Sequence, residues 1–194
     1  MIDKFIGLSG LPRSGSTLLS AILDQNPAIH AEGNSAVCQL MWDMQQSCYG
    51  AANEQLHGSN RLHTIDDIIA SIPDVYYKGV KANIIIDKCR VWPMQCHMRM
   101  LAKHFKTKPK IIILERSIID VMKSFTALQA GSVKSITDIM EAFMHPHTPV
   151  VRALEAINLA KQHNNGEFLF ITYDELVDNT QSVLNSIYEF CEIV

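Results

Sequence analysis

Short apolar runs rich in isoleucine and phenylalanine alternate along this chain with stretches in which apolar residues recur every three or four positions. The first pattern is that of strands buried on both faces, the second that of helices with one apolar stripe. Residues 4–9 (KFIGLS) read as a first strand, and residues 16–25 as a helix in which Leu18 and Ile22, and Leu19 and Leu23, lie one turn apart. Asn26-Pro27 stops that helix. Residues 34–47 predict a second helix, and after a polar loop Thr64 offers an N-cap with Asp67 as its acidic partner three residues on. Residues 83–87 (NIIID) and 110–115 (KIIILE) are buried-strand candidates, separated by an amphipathic stretch over 91–105. Helical spacing returns over 118–129 and 150–163, and residues 167–172 (EFLFIT) form a last strand. Thr180 then caps a final helix that turns Val183, Leu184, Ile187 and Cys191 inward.

Strand and helix in turn, with no Ser/Gly/Pro-rich linker and no internal repeat, predict a single α/β domain over residues 1–194, a mostly parallel sheet with helices on both faces. Ligands of such sheets sit beyond the C-terminal strand ends. The chemistry is therefore to be sought in segments 10–17, 87–90 and 115–124, and from Tyr173 onward.

With 194 residues, 47% of them hydrophobic, the chain is long enough to bury a full core and too apolar for disorder. No apolar run approaches the ~18–20 residues of a membrane span, and the N-terminus has neither a basic region nor a long apolar one. Five cysteines at irregular spacing, without a CxxC pair, read as reduced thiols in a cytoplasm. His145-Pro-His147 and Cys96-His97 match no zinc spacing, so no metal is expected. Trp42 and Trp92 read as core, with an acceptor pocket as the other possibility.

Charge changes the picture more by its distribution than by its sum of −3. Residues 78–123 hold 11 Lys/Arg against three acids, which leaves −11 for the rest of the chain. A basic middle in an acidic protein points to a focused anion site more than to a broad nucleic-acid surface. Lys103, Lys106, Lys108 and Lys110 fit a solvated helix face equally well.

Gly10-Leu-Pro-Arg-Ser-Gly15-Ser-Thr17 follows the first strand and opens a helix, the setting in which backbone N–H groups and the helix dipole hold an anionic oxygen cluster. The spacing GxxxxGxT departs from the nucleoside-triphosphatase P-loop at Ser16, which stands where that loop has its lysine; Arg13 supplies a cation three residues earlier. The arrangement suits one terminal phosphate better than a magnesium-bound triphosphate.

FIGLSGLPRSGSTLLSAILDQNP closely resembles the opening of the sulfotransferases that use 3′-phosphoadenosine 5′-phosphosulfate (PAPS), above all the tyrosylprotein-sulfotransferase-like and bacterial or phage branches. Arg116 to Ser124 fits the family's RxxxDxxxS, Asp87-Lys88 resembles its central (D/N)K, and Ile171-Thr-Tyr-Asp-Glu-Leu-Val is similar to its YEDL element. The resemblance implies a P-loop-type fold, a PAPS donor that leaves as adenosine 3′,5′-bisphosphate (PAP), and an acceptor hydroxyl or amine on a small molecule, carbohydrate or peptide. It implies that Ser14, Gly15, Ser16 and Thr17 hold the 5′-phosphate and that Arg116 and Ser124 hold the 3′-phosphate, with an Arg116–Asp120 pair as the alternative. Arg13 and Lys88 are the candidates for the charge that develops on the bridging oxygen. Counting from Arg13, the tyrosylprotein branch's glutamate base falls on Asn34; Glu32 is the preferred base here and His30 the reserve. Val194 precedes the segment that in family members closes over the 3′-phosphate and adenine, so the domain is expected to lack it. Two other readings stay open at this point. One is a P-loop kinase or NTPase-like phosphoryl transferase, with Asp87 as its magnesium-side carboxylate; the other is a non-catalytic nucleotide-binding module.

Overall fold

The runs of isoleucine at 84–86 and 111–113 lie side by side with the first strand between them, and a fully parallel sheet grows from there. The computed structural model describes residues 2–105, 108–128, 135–146 and 148–193. Its elements are β1 (Lys4–Gly10), α1 (Ser16–Leu23), β2 (Ile29–Ala31), α2 (Val37–Tyr49), α3 (Asn53–Gly58), a 3-10 turn (Leu62–Thr64), α4 (Ile65–Tyr76), β3 (Ile84–Lys88), α5 (Gln95–Phe105), β4 (Ile111–Glu115), α6 (Ile118–Leu128), α7 (Ile136–Met144), α8 (Pro149–Gln162), β5 (Phe168–Thr172), α9 (Tyr173–Asp178) and α10 (Thr180–Cys191). The strand order is β2-β3-β1-β4-β5. The chain leaves β1 for one side of the sheet and crosses to the other at β4, so the topological switch lies between the C-terminal ends of β1 and β4, where open α/β sheets form their binding crevice.

Alternation along the strands divides the core in two. Ile85, Ile111, Ile113 and Phe168 pack with residues of α2, α4, α5 and α8 on one face. Ile6, Leu8, Ile84, Ile86, Ile112 and Leu114 pack with Leu19 and Leu23 of α1, Leu176 of α9, and Val183, Ile187 and Cys191 of α10 on the other. Both faces are covered, which is why the strands carry continuous apolar runs. The predicted inward set of the last helix is met at Val183, Ile187 and Cys191, which are buried, and at Leu184, which is partly buried against them.

Several local expectations are corrected. Residues 29–31 form an edge strand where none was expected, because Ile29, His30 and Ala31 find parallel partners on β3. The second helix begins at Val37 rather than at 34, since Ser35 is engaged elsewhere. Thr64 and Thr180 do not cap: their hydroxyls donate back to the carbonyls of Arg61 and Leu176, each at 2.7 Å. The strand expected over 83–87 runs one residue further, so Lys88 lies inside β3 and is buried beside Asp87 rather than following the strand. Trp92 is fully buried, which settles it as core. The described part of the helix predicted over 118–129 ends at Leu128, and Lys106, Gln129 and His147 lie outside the described residues. Lys103, Lys108 and Lys110 pair with Asp66, Glu167 and Glu192, so these basic residues serve the surface rather than an anion site.

Candidate active site

The Gly10–Thr17 loop is built by backbone geometry that few residues tolerate. Gly15 caps α1 at φ 94°, and a Cβ there would lie 2.6 Å from Cδ2 of Tyr173. At Gly10, φ 153°, a Cβ would lie 2.5 Å from the carbonyl oxygen of Leu114 and 2.7 Å from Oγ of Ser14. Glycine leaves both spaces open and the loop close to β4 and α9. Arg13 adopts φ 65°, a left-handed conformation uncommon outside glycine and a mark of functional loops. Ser14 is fully buried, and its Oγ has no hydrogen-bond partner among the described residues. An unmet buried hydroxyl inside a glycine-framed loop at a helix N-terminus fits a phosphate oxygen.

Residues distant in sequence converge on this loop. Arg13 Nε donates to Ser124 Oγ at 3.1 Å, and Arg116 Nη1 donates to the Arg13 carbonyl at 2.9 Å. The Arg116 guanidinium lies 4.2 Å from the centre of the Tyr173 ring. β4 delivers Arg116, the following α6 delivers Ser124, and the end of β5 delivers Tyr173. Asp120 pairs with Lys123 at 3.1 Å, so the Arg116–Asp120 alternative is not realised. Neither Arg13 nor Arg116 has an ion-pair partner among the described residues. Beside them, a cavity of about 270 Å³ is lined by Glu115, Arg116, Ser117, Thr172, Tyr173 and Asp174.

Lys88 ends β3 on the face covered by α1, 3% exposed and with no hydrogen-bond partner among the described residues. Burial, and then the nearby Arg90 guanidinium, pull its ammonium down to about 8. Asp87 points to the opposite face and accepts three hydrogen bonds, from Ser35 Oγ at 2.5 Å, Tyr77 OH at 2.7 Å and Trp92 Nε1 at 2.8 Å. Burial pushes its carboxyl up, against the pull of those three donors. A carboxylate so enclosed is poorly placed to hold magnesium.

Glu32 follows β2 with its side chain 40% exposed, its carboxylate 3.9 Å from Nε2 of His30. His30 Nδ1 in turn lies 3.5 Å from Asp24. The backbone at Glu32 and Gly33 reaches α1: Ser20 Oγ donates to the Glu32 carbonyl at 3.2 Å, and a Cβ on Gly33 would lie 3.2 Å from Thr17 Oγ1. Asn34, where the count from Arg13 puts the tyrosylprotein branch's glutamate, is exposed.

A family model described as the sulfotransferase family matches residues 6–194. The chain belongs to the sulfotransferase family. No curated protein sequence matches this sulfotransferase significantly. Among solved structures it is similar to the sulfotransferase domain of the curacin biosynthetic pathway, with 18% identity and TM-score 0.60, covering 100% of this chain and 75% of that one. It is similar to the sulfotransferase domain of the Synechococcus PCC 7002 olefin synthase, with 19% identity and TM-score 0.61, over 99% and 74%. A mouse sulfotransferase complexed with PAP aligns with 17% identity and TM-score 0.58, over 99% of this chain and 59% of the mouse protein. The sulfotransferase is thus an enzyme of sulfuryl transfer on a P-loop-type α/β fold, and the phosphoryl-transferase and non-catalytic readings give way. Among the described residues no helix is long and apolar enough to cross a membrane, and no group of His, Cys, Asp and Glu could hold a metal ion.

Sequence reasoning missed Ser35, Tyr77 and Arg90, and it quoted Tyr173 without giving it a role. For Tyr173 the signal was present, an aromatic residue directly after the last strand on a sheet whose ligands bind at strand ends. For Ser35 and Tyr77 none was, because their partner Asp87 lies 52 and 10 residues away across the fold.

Proposed function

We propose that this sulfotransferase takes its sulfuryl group from PAPS and passes it to an acceptor hydroxyl or amine on a small molecule, carbohydrate or peptide. One observation carries the reading: the Arg116 guanidinium bonds the backbone carbonyl of Arg13, 103 residues away, the Arg13 guanidinium bonds Ser124, and neither arginine has an ion-pair partner among the described residues. Unneutralised arginines at a helix N-terminus call for a multiply charged anion, and PAP carries phosphates at both ends of its ribose. That a mouse sulfotransferase of the same fold was solved with PAP supports the same donor.

In this reading Ser14, Gly15, Ser16 and Thr17 hold the 5′-phosphate, and Arg116 with Ser124 holds the 3′-phosphate. PAPS supplies a sulfuryl group on a good leaving phosphate. Sulfuryl transfer is then in-line positioning with charge stabilisation, by analogy with phosphoryl transfer. Arg13 and Lys88 meet the negative charge that grows on the bridging oxygen as the S–O bond breaks. Glu32 takes the acceptor's proton as its oxygen or nitrogen bonds to sulfur, with His30 in reserve. A cytoplasmic location belongs to the same reading, on the irregular spacing of the five cysteines.

Thermal unfolding tests it. PAP at ~100 times its Kd stabilises the fold by about 2.7 kcal/mol, so it raises the melting temperature with EDTA present and does so more than 5′-AMP at equal concentration. A shift with ATP and magnesium but none with PAP overturns the donor assignment.

A further inference from the structure

We propose that Asp87 is a positioning residue, one that ties the loop between β2 and α2, and with it Glu32, to the Lys88 end of β3. The inference rests on the reading of Glu32 and Lys88 as catalytic residues and adds how they are held relative to each other.

Asp87 is fully buried and immediately precedes Lys88 on β3. Its Oδ2 accepts from Ser35 Oγ at 2.5 Å and from Tyr77 OH at 2.7 Å, and its Oδ1 accepts from Trp92 Nε1 at 2.8 Å. Tyr77 and Trp92 belong to the core and anchor the carboxylate there. Ser35 is different: the residues around it, Gly33, Asn34 and Ala36, are exposed. Its hydroxyl also accepts from the Val37 N–H at 3.0 Å, which sets where α2 begins. The other end of the loop is fastened to α1 by Ser20 Oγ on the Glu32 carbonyl, with Gly33 lying close enough to Thr17 that a Cβ there would crowd it. Residues 32–35 are therefore strung between the helix that opens the phosphate loop and the strand that carries Lys88. A carboxylate suits this post, because one of its oxygens takes two donors while the other takes a third. An asparagine offers a single acceptor oxygen and sets its own N–H groups against one of those donors.

Ser35→Ala removes the loop's tether. Tyr77→Phe removes an equivalent bond to the same oxygen from the core side and serves as the control. Both, together with Glu32→Gln, are compared with the wild type for PAP affinity, for amide exchange over residues 33–36 and for PAPS turnover with phenols, amines and water as acceptors across pH. Since misplacing a reacting group by ~1 Å costs up to ~10²-fold, Ser35→Ala is expected to lower kcat by about tenfold with PAP affinity within about twofold. Its 33–36 amides exchange faster, whereas Tyr77→Phe, which loses its bond from the core side, leaves that exchange unchanged and lowers kcat by less. Equal losses of kcat in Ser35→Ala and Tyr77→Phe, or unchanged exchange and kcat in Ser35→Ala, overturn the proposal. A slow Ser35→Ala beside a Glu32→Gln of wild-type rate removes Glu32 as the base and leaves the tether standing; the reverse pattern removes the tether. If the wild type binds no PAP the donor reading falls, and the exchange difference alone decides whether Asp87 holds the loop.

Discussion

Arg116 and Tyr173 join the ends of β4 and β5 through a guanidinium set 4.2 Å from the phenol ring centre. The same ring fills the space beside Gly15, so Arg116 and the Gly10–Thr17 loop rest on one aromatic side chain. A cation–π contact of this kind contributes roughly 1 kcal/mol at a partly exposed site. Tyr173→Ala therefore weakens PAP binding by about fivefold in isothermal titration. Tyr173→Phe keeps wild-type affinity, since no phenol hydroxyl is involved.

Gly15→Ala places a methyl group 2.6 Å from Tyr173 at a φ of 94°. Strain of this type costs ~1–3 kcal/mol, and a lower urea midpoint reports it. Adding Tyr173→Ala recovers the part due to the clash and leaves the part due to φ. Full recovery assigns the whole cost to the ring, and no recovery assigns it to the backbone.

Arg116→Ala removes both the charge proposed for the 3′-phosphate and the bond that supports the left-handed Arg13. The loss in affinity is expected to be larger for PAP than for 5′-AMP, by about tenfold or more, as for a charge-assisted bidentate contact. Equal losses for the two nucleotides mean that Arg116 acts only by shaping the loop.

Lys88 gives a pH dependence whose direction follows from its burial. Its folded-state value is near 8, below the 10.5 of a free lysine. Between these values the unfolded chain binds the proton and the folded protein does not, so the stability of the ligand-free protein rises as pH climbs from about 8. In the proposed mechanism the charged ammonium is the working form, so turnover is expected to move the other way, falling as pH rises through about 8. Lys88→Met is expected to remove the rise in stability in denaturation at a series of pH values and to lower kcat at every pH.

Arg13 and Glu32 separate charge stabilisation from proton removal. Arg13→Ala lowers kcat by ~10²–10³ across the pH range, the usual effect of losing a transition-state donor. Glu32→Gln costs ~10²–10⁴ and abolishes the acidic limb of the pH–rate profile while PAP affinity holds. An intact acidic limb in Glu32→Gln transfers the role to His30, and His30→Gln then removes it.

What the sequence by itself determined is local. Isoleucine runs at 84–86 and 111–113 have to be strands buried on both faces, and Gly10 and Gly15 around Arg13 have to be a loop that opens a helix, because backbone sterics and burial act over a few residues. That Arg116 and Ser124 stand at a strand end and on the following helix was legible for the same reason. Tertiary structure alone decided the contacts between these pieces. Residues 29–31 are a strand because β3 offers an open parallel edge, and three residues carry too little alternation to announce it. The helix expected from Asn34 starts at Val37 because Ser35 bonds to a carboxylate 52 residues away. Thr64 and Thr180 could cap a helix or donate back to a preceding carbonyl, and the path of the chain before each chose the second. Asp87 looked like a metal ligand at a strand end; three donors from different parts of the chain made it a buried tie instead, since a carboxylate takes the partners that the packing of the sheet and its helices brings within 3 Å.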